Sequence, residues 1–368
     1  AIQGGALVDT GPFRNSPSVK QSTYGVFERD GMTRLRSIDF NATGEVGSLW
    51  GGNKISVALG GEVRREDFSD VRAAFAGLNP AGSGLDPTRS DVVSASSIPD
   101  TFAHREAYSG YAEVLLPLAG RNFTLPLVQS FELSAAARTE HYSDFGNTTK
   151  PKVAAKLRLP SNRVLNIVLR GSYSESFKAP DIGQLYATQS NATTTTAYLD
   201  PLRPLDAARQ MASTVGGNPD LNPEEGKVQY AGAVFEVPAV KGLSFSVDFF
   251  DVQITNVITS LGAGYLLSAE GRRLFPDKIT REPTAADGTP GRILRVGTIS
   301  SNLGLQLYRG MDFGLRYGLR NTRLGSFTFD ALATQVIKKG SDAGTGNGFF
   351  DNTGLAFDVE WRYNYSLG

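Results

Sequence analysis

The feature that most constrains this chain is a two-residue alternation of apolar and polar side chains along most of its 368 residues. In ISVALGGEVRRE, for example, Ile55, Val57 and Val63 share one face, and Ser56, Glu62 and Arg64 share the other. Successive side chains of a β-strand point to opposite faces, so this period predicts strands with one apolar and one polar face. Similar segments begin near Tyr108, Phe131, Val153, Leu243 and Phe327. The pattern predicts an all-β protein.

Short and long polar connections alternate between these segments. Short turns are predicted at Pro160–Arg163, Pro238–Gly242 and Leu319–Gly325. Long polar connections are predicted at Phe68–Thr101, Glu175–Gly226, Asn256–Asn302 and Lys339–Thr353. Short turns at one rim and long loops at the other are typical of transmembrane barrels. The loops of a soluble β-sandwich do not sort by length, so the pattern favours a transmembrane antiparallel up-and-down β-barrel.

Composition and length narrow the class further. The 37 basic and 37 acidic residues cancel, which disfavours nucleic acid as a partner. The absence of cysteine excludes a disulfide framework and thiolate metal sites. Counting hairpins predicts about eleven or twelve strands between Met32 and Leu367. Many exceed the ~9 to 11 residues that cross a bilayer, so we expect them to project beyond it.

One stretch carries a more specific signal. The sequence RGSYSESFKAPDIGQLY, Arg170–Tyr186, leaves the strand pattern at Pro180, which has no N–H for a β-ladder. It resembles the signature of TonB-dependent outer-membrane receptors, in which an arginine, a Ser-Tyr-Ser and a Phe-Lys/Arg-Ala-Pro precede a Leu-Tyr/Phe. Further segments are similar in the family's order: Leu59–Asp70, Tyr111–Leu118, Leu133–Leu159, Gly217–Val237, Gly242–Ile258 and, more weakly, Asn302–Leu319.

The resemblance implies part of a barrel of about 22 strands in the bacterial outer membrane. Family members take up scarce substrates such as ferric siderophores, cobalamin, haem or oligosaccharides, driven by TonB acting on an N-terminal plug. The expected partners are therefore TonB, a small-molecule or oligosaccharide substrate and the lipid bilayer. We expect residues 1–368 to be one partial barrel domain without the plug or TonB box. A passive porin-like or adhesin barrel without a plug is the alternative, and a soluble secreted β protein is a third possibility.

The resemblance also places candidate ligand contacts in two loops, Phe177–Asn222 and Thr255–Leu303. Aromatic and cationic side chains there are suited to stacking or charge pairing with a ligand, or alternatively to packing within the loops. These candidates are Tyr186, Tyr198, Arg203, Arg209 and Tyr265.

Within the signature, four residues are assigned structural roles. Arg170 lies on the polar face and is expected to pair with an acidic side chain. Phe177 and Pro180 mark the end of the strand, and Tyr173, on the apolar face, suits the aromatic girdle at a membrane interface.

No catalytic, metal or cofactor site is expected, and the chain is predicted not to be an enzyme. Asp144-Phe145-Gly146 lacks the partner motifs of a kinase and predicts a polar turn. The two histidines, His104 and His141, have no third metal ligand in sequence, which favours surface positions.

Overall fold

The computed structural model describes residues 2–3, 6–7, 17–18, 28–91, 97–120, 123, 125–344 and 346–368. Its main element is a sheet of twelve antiparallel strands. Numbered in chain order, these are β3 (Arg29–Ser48), β4 (Lys54–Arg72), β5 (Thr101–Ala119), β6 (Ser130–Tyr142), β7 (Gly146–Arg158), β8 (Asn166–Lys178), β11 (Glu224–Glu236), β12 (Leu243–Ser260), β15 (Ser300–Thr322), β16 (Gly325–Asp342), β17 (Phe350–Asp351) and β18 (Trp361–Leu367). A separate pair, β1 (Ile2–Gln3) and β2 (Ala6–Leu7), precedes them.

The strands of the main sheet lie beside one another in chain order, from β3 at one edge to β16 near the other. Both β17 and β18 pair with β16, so the twelve strands occupy eleven positions. This topology confirms the predicted all-β, up-and-down arrangement. Strands of up to 23 residues are about twice the length that crosses a bilayer, in agreement with the expectation that they project beyond it.

The connections sort by length between the two ends of the sheet. At the turn end lie residues 49–53, 120–129, 159–165, 237–242 and 323–324, and at the loop end lie 73–100, 143–145, 179–223, 261–299 and 343–349. Two connections depart from the predicted sorting, because 143–145 is a tight turn at the loop end and 120–129 is a longer one at the turn end. The strands also run further than predicted, so β4 ends at Arg72 and β12 at Ser260.

The two faces of the sheet differ in chemistry, as the alternation predicted. The apolar face carries large side chains that are about half exposed, among them Leu59 (53 %), Val63 (53 %) and Leu169 (41 %). Contiguous apolar exposure on this scale is rare for a surface in water and fits a lipid-facing band. On β4 the band ends towards the loop end at Arg65, whose Nη1 lies 2.9 Å from the Oε1 of Glu106.

The long connections were predicted as polar loops, but they contain regular structure. Strands β9 (Ser190–Thr193), β10 (Ala212–Val215), β13 (Ile279–Arg281) and β14 (Ile293–Gly297) form a second sheet. Helices α1 (Ile182–Tyr186), α2 (Ala263–Leu267) and α3 (Ala269–Leu274), and 3-10 turns at Trp50–Gly52 and Pro276–Lys278, complete the elements. No helix among the described residues is long and apolar enough to cross a membrane.

Candidate functional site: the loop cap and the polar face

The two longest connections, residues 179–223 and 261–299, form one body at the loop end, which we call the loop cap. Strand β10 of the first pairs in parallel with β14 of the second. A shared apolar core joins them, made of Met211, Leu261, Ala263, Leu266, Leu267, Ile293 and Val296. Because neither connection encloses this core alone, the cap depends on both.

Charged groups fasten the same two connections. Arg281 donates from Nη1 and Nη2 to the Asp200 carboxylate at 2.6 and 2.8 Å. Both side chains are largely buried, at 18 % and 9 % exposure. A bidentate arginine–carboxylate pair is stronger and more directional than a single bond, so it fixes β13 against the first connection.

The five candidate ligand residues lie in or beside the loop cap. Tyr198 and Tyr265 pack against its apolar core. Arg203 is bound to Asp206 at 2.7 Å and to the Pro290 carbonyl at 2.7 Å. These three side chains therefore also hold the cap together.

The other two candidates are placed differently. Arg209 is exposed and donates one hydrogen bond, 2.5 Å long, to the carbonyl of Ile293. Tyr186, at the end of α1, is half-buried, and burial together with the nearby Asp144 carboxylate raises the pKa of its hydroxyl. All five residues belong to the loop cap: Tyr198, Arg203, Arg209 and Tyr265 lie in the part around the second sheet and the apolar core, whereas Tyr186 lies in the part next to Asp144 at the end of the main sheet.

The Asp200–Arg281 pair predicts how the cap responds to acid. Hydrogen bonds from Arg281 hold the pKa of Asp200 below its ordinary value. A depressed carboxyl pKa adds stability above the unfolded value of about 3.9, and this stability is lost as the pH falls through the folded value. We expect pepsin cleavage within 179–223 and 261–299 to accelerate as the pH drops below about 4.

The matched comparison is between two carboxyl-to-amide changes in the same connection. Asp200→Asn is expected to make the cap sensitive to pepsin already at pH 5, since the paired charge is gone. Asp220→Asn, at an exposed position, is expected to leave the pH profile unchanged. If the wild type and Asp200→Asn showed the same dependence of pepsin cleavage on pH, the stabilising role of the Asp200–Arg281 pair would be contradicted.

Beneath the loop cap, Arg105 of β5 forms a buried charged contact that anchors the signature segment. Its Nε lies 2.6 Å from the Oδ2 of Asp144, and both side chains are only 4 % exposed. Its Nη2 donates to the carbonyl of the buried Pro180 at 2.7 Å. Arg105 thus ties the β6–β7 turn to the point where the chain leaves β8.

This contact corrects one sequence-based expectation. Asp144-Phe145-Gly146 was predicted to be a polar turn, and the chain does turn here between β6 and β7, yet Asp144 is buried against Arg105. Phe145 stacks on Tyr142 with ring centroids 4.5 Å apart, and Phe177 meets both rings edge-on. The turn is a packed anchor, and Phe177 lies within it. His104 and His141 are exposed, and Nδ1 of His141 lies 2.8 Å from Asn147 Oδ1.

On the polar face, Arg170 reaches across β11 to β12. Its Nη2 lies 2.8 and 2.9 Å from the two carboxylate oxygens of Asp248. Tyr230 donates to the same carboxylate, and the guanidinium lies 5.4 Å from the centroid of the Tyr230 ring. Asp248 is only 8 % exposed, and a buried charge needs hydrogen-bond partners. Arg170 and Tyr230 provide them from two sides.

Gly232 makes this contact possible, because it stands between the partners in the register of the sheet. It pairs with Arg170 on β8 and with Asp248 on β12. A Cβ at this position would overlap Oδ1 of Asp248.

We therefore expect Gly232→Ala to displace the Asp248 carboxylate and to lower the free energy of unfolding by about 1 to 3 kcal/mol. Urea titration of the folded protein in micelles measures this change. Gly110→Ala is the control, since the nearest atom to a Cβ there is the Gly60 carbonyl oxygen at 3.8 Å. An equal loss in both variants would show that the effect is not specific to the Arg170–Asp248 contact.

A cavity of about 430 Å³ adjoins Arg170 on this face. Its polar lining includes Arg170, Ser244, Ser246, Arg316, Asp330, Asn364 and Ser366. Within the described part of the chain, no group of three or more His, Cys, Asp or Glu side chains is arranged to hold a metal ion.

Sequence reasoning missed Arg105, Asp144, Gly232 and Asp248 as a group. Asp248 fits the alternating pattern, Gly232 lies in a segment with apolar residues on both faces, and neither residue has a local feature that singles it out. The only available signal was an arginine in a predicted strand with no acidic neighbour at two residues' distance, which is too common to be specific.

These features define a class of protein, the transmembrane β-barrel with folded loops at one end. They are the alternating faces, the apolar band, the connections sorted by length and the loop cap. The family profile described as "TonB dependent receptor-like, beta-barrel" matches residues 4–368. The chain belongs to this family of TonB-dependent outer-membrane receptors, as the signature predicted. No curated protein sequence matches it.

Solved structures support the fold. The siderophore receptor PirA from Acinetobacter baumannii aligns with a TM-score of 0.52 and 16% identity, over 83% of this chain and 37% of that one. A point mutant of the ferric enterobactin receptor from Pseudomonas aeruginosa, solved in complex with enterobactin, aligns with a TM-score of 0.53 and 14% identity, over 83% of this chain and 36% of that one. The chain thus spans about a third of the length of these receptors, and at this identity the likeness concerns the fold.

Proposed function

We infer that this chain supplies part of the wall and outer mouth of a receptor that imports a scarce substrate across the outer membrane. The observation that carries the proposal is the loop cap. Its two connections fold together into one body at the loop end of the main sheet, and that sheet has one lipid-facing side and one polar face. The substrate belongs to the group formed by ferric siderophores, cobalamin, haem and oligosaccharides. TonB, acting through a plug and TonB box elsewhere in the receptor, is the proposed energy source.

In this proposal, ligand recognition belongs to the loop cap. Arg209 is the strongest candidate contact, because its side chain is exposed and makes only one hydrogen bond in the described structure. Tyr186, Tyr198, Arg203 and Tyr265 are the other proposed contacts, with positioning of the cap as a second role. Arg170 acts further along the polar face, where it keeps Asp248 paired.

Uptake by cells tests the proposal directly. A strain that lacks the gene is grown on each substrate class as the limiting source of iron, cobalamin or carbon, with and without the plasmid-borne receptor. We expect one class to require the receptor, and a proton uncoupler to abolish its uptake. Arg209→Ala is expected to raise the half-saturating concentration at least ~10-fold, equivalent to about 1.4 kcal/mol.

Passive diffusion is the competing outcome. A receptor whose uptake persists with the uncoupler and rises in proportion to substrate concentration would be a porin-like barrel. That result would overturn the proposal of energised transport.

A further inference from the structure

The main sheet is split along the seam between β7 and β8. The two strands pair only from Lys152↔Ser174 to Arg158↔Val168, although β7 is paired with β6 along its whole length. Strand β8 is likewise paired with β11 through to Lys178. Pro151, the first residue past the last β7–β8 pair, has no N–H to offer the neighbouring strand. Towards the loop end, the sheet therefore separates into two leaves.

Beyond the last β7–β8 pair, side chains of the two leaves still contact each other, but they come from opposite faces of the sheet. Tyr142 shares the polar face of β6 with Arg138 and Glu140, whereas Phe177 shares the apolar face of β8 with Tyr173. Yet the Tyr142 and Phe177 rings lie 6.0 Å apart, edge to face. A polar-face side chain of one leaf thus meets an apolar-face side chain of the other.

A second contact across the seam shows the same offset. Lys150, on the polar face of β7, lies 2.9 Å from Oε1 of Glu225. Glu225 pairs in register with Phe177 and shares its face. Neither the β6–β7 ladder nor the β8–β11 ladder has a bulge here. The offset therefore arises because β8 and β11 are displaced together relative to β7.

The step leaves a cleft of about 370 Å³ between the leaves. Its lining includes Tyr111, Arg138, Lys150, Lys152, Glu175 and Phe177. Two aromatic rings and the Pro151 ring give it apolar walls, and three cations outnumber the single carboxylate, which accepts a 2.6 Å hydrogen bond from Tyr173.

Lys152 is the distinctive group of this lining. Arg138 is bound to Glu140 and Glu62, and Lys150 to Glu225. Among the residues that the structure describes, Lys152 has no hydrogen-bond or ion-pair partner, and it is exposed. An unpaired ammonium beside apolar walls attracts a compact anion with an apolar body.

We propose that the cleft between β7 and β8 is a binding site for a small aromatic carboxylate, with its ring against the Phe177 and Pro151 side of the cleft and its carboxylate on Lys152. The volume suits a ligand of about two fused rings, since small-molecule sites begin near 300 Å³. This site lies in the barrel wall, apart from the loop cap, and does not depend on the proposed uptake.

Calorimetric titration of the intact receptor in detergent with 2-naphthoate tests the site. Wild-type receptor is expected to bind 2-naphthoate at least ~10-fold more tightly than the neutral 2-naphthalenemethanol. Lys152→Gln is expected to remove this difference by weakening only the carboxylate, by ~10-fold or more. Lys156→Gln is the control, because Lys156 lies on the same strand and face, is bound to Glu132 at 3.4 Å and is outside the cleft.

A second variant tests the apolar walls. Ala136→Leu fills the cleft from β6 and is expected to weaken both compounds, while heat-dependent gel mobility shows that the barrel is folded. Equal affinity for the acid and the alcohol in the wild type would overturn the proposal. So would an equal effect of Lys152→Gln and Lys156→Gln, or the absence of 2-naphthoate binding.

Discussion

Replacing Arg105 with methionine is expected to lower the free energy of unfolding by about 3 to 5 kcal/mol, because it leaves the buried Asp144 carboxylate without its cation. Both side chains are 4 % exposed, so water cannot replace the lost partner without opening the turn. The Pro180 carbonyl loses its donor in the same variant. Urea unfolding in micelles measures the loss, and protease cleavage after Lys178 reports the freed segment.

The neighbouring pair Arg65–Glu106 provides the control. Its charged atoms are 2.9 Å apart, but its side chains are 43 % and 38 % exposed. Exposed pairs contribute about 0 to 1 kcal/mol, so Arg65→Met is expected to change stability little. The double variant Arg105→Met/Asp144→Leu is expected to be more stable than Arg105→Met, because no charge remains buried. A loss no larger than that of Arg65→Met would refute the anchor role of Arg105.

The second large effect concerns the apolar face. Leu169 lies near the middle of the band on β8, between Leu157 and Ala233 in the register, and is 41 % exposed. Leu169→Arg is expected to destabilise the barrel in lipid vesicles by about 2 to 4 kcal/mol, since an arginine there faces hydrocarbon. The equilibrium between folded and urea-unfolded protein with vesicles present is the measurement.

Ser172→Arg is the matched change on the opposite face of the same strand. Ser172 follows Arg170 on the polar face and is only partly buried, so a second arginine has access to water. We expect a cost of less than about 1 kcal/mol. If both variants lost the same stability, the assignment of the lipid-facing side would be wrong.

Much of the main sheet could be predicted because its determinants are local. The alternation at Ile55, Val57 and Leu59 needs only neighbouring residues, and the structure places these side chains on one face of β4. Pro180 ends the β8 pattern because proline has no N–H for the β-ladder, which is a property of the residue itself. The family signature added the identity of the barrel, which alternation alone left open.

The loop cap and the buried contacts could not be predicted in this way. Arg105 and Pro180 are 75 residues apart, and Arg281 and Asp200 are 81 apart. In the sequence, each of these residues fits several roles equally well. The loop cap strands are also short, at three to five residues, so they carry almost no periodic signal.

The sequence by itself determined that the chain forms long antiparallel strands with one lipid-facing side, because strand geometry converts a local two-residue period into two faces. It also determined the family, through RGSYSESFKAPDIGQLY and the segments in order around it. Only the tertiary structure decided that two connections form one cap, that Arg105 anchors Pro180, and that β7 and β8 separate above Lys152. Those outcomes depend on which distant side chains meet, and burial makes such contacts strong where the sequence shows only isolated polar residues.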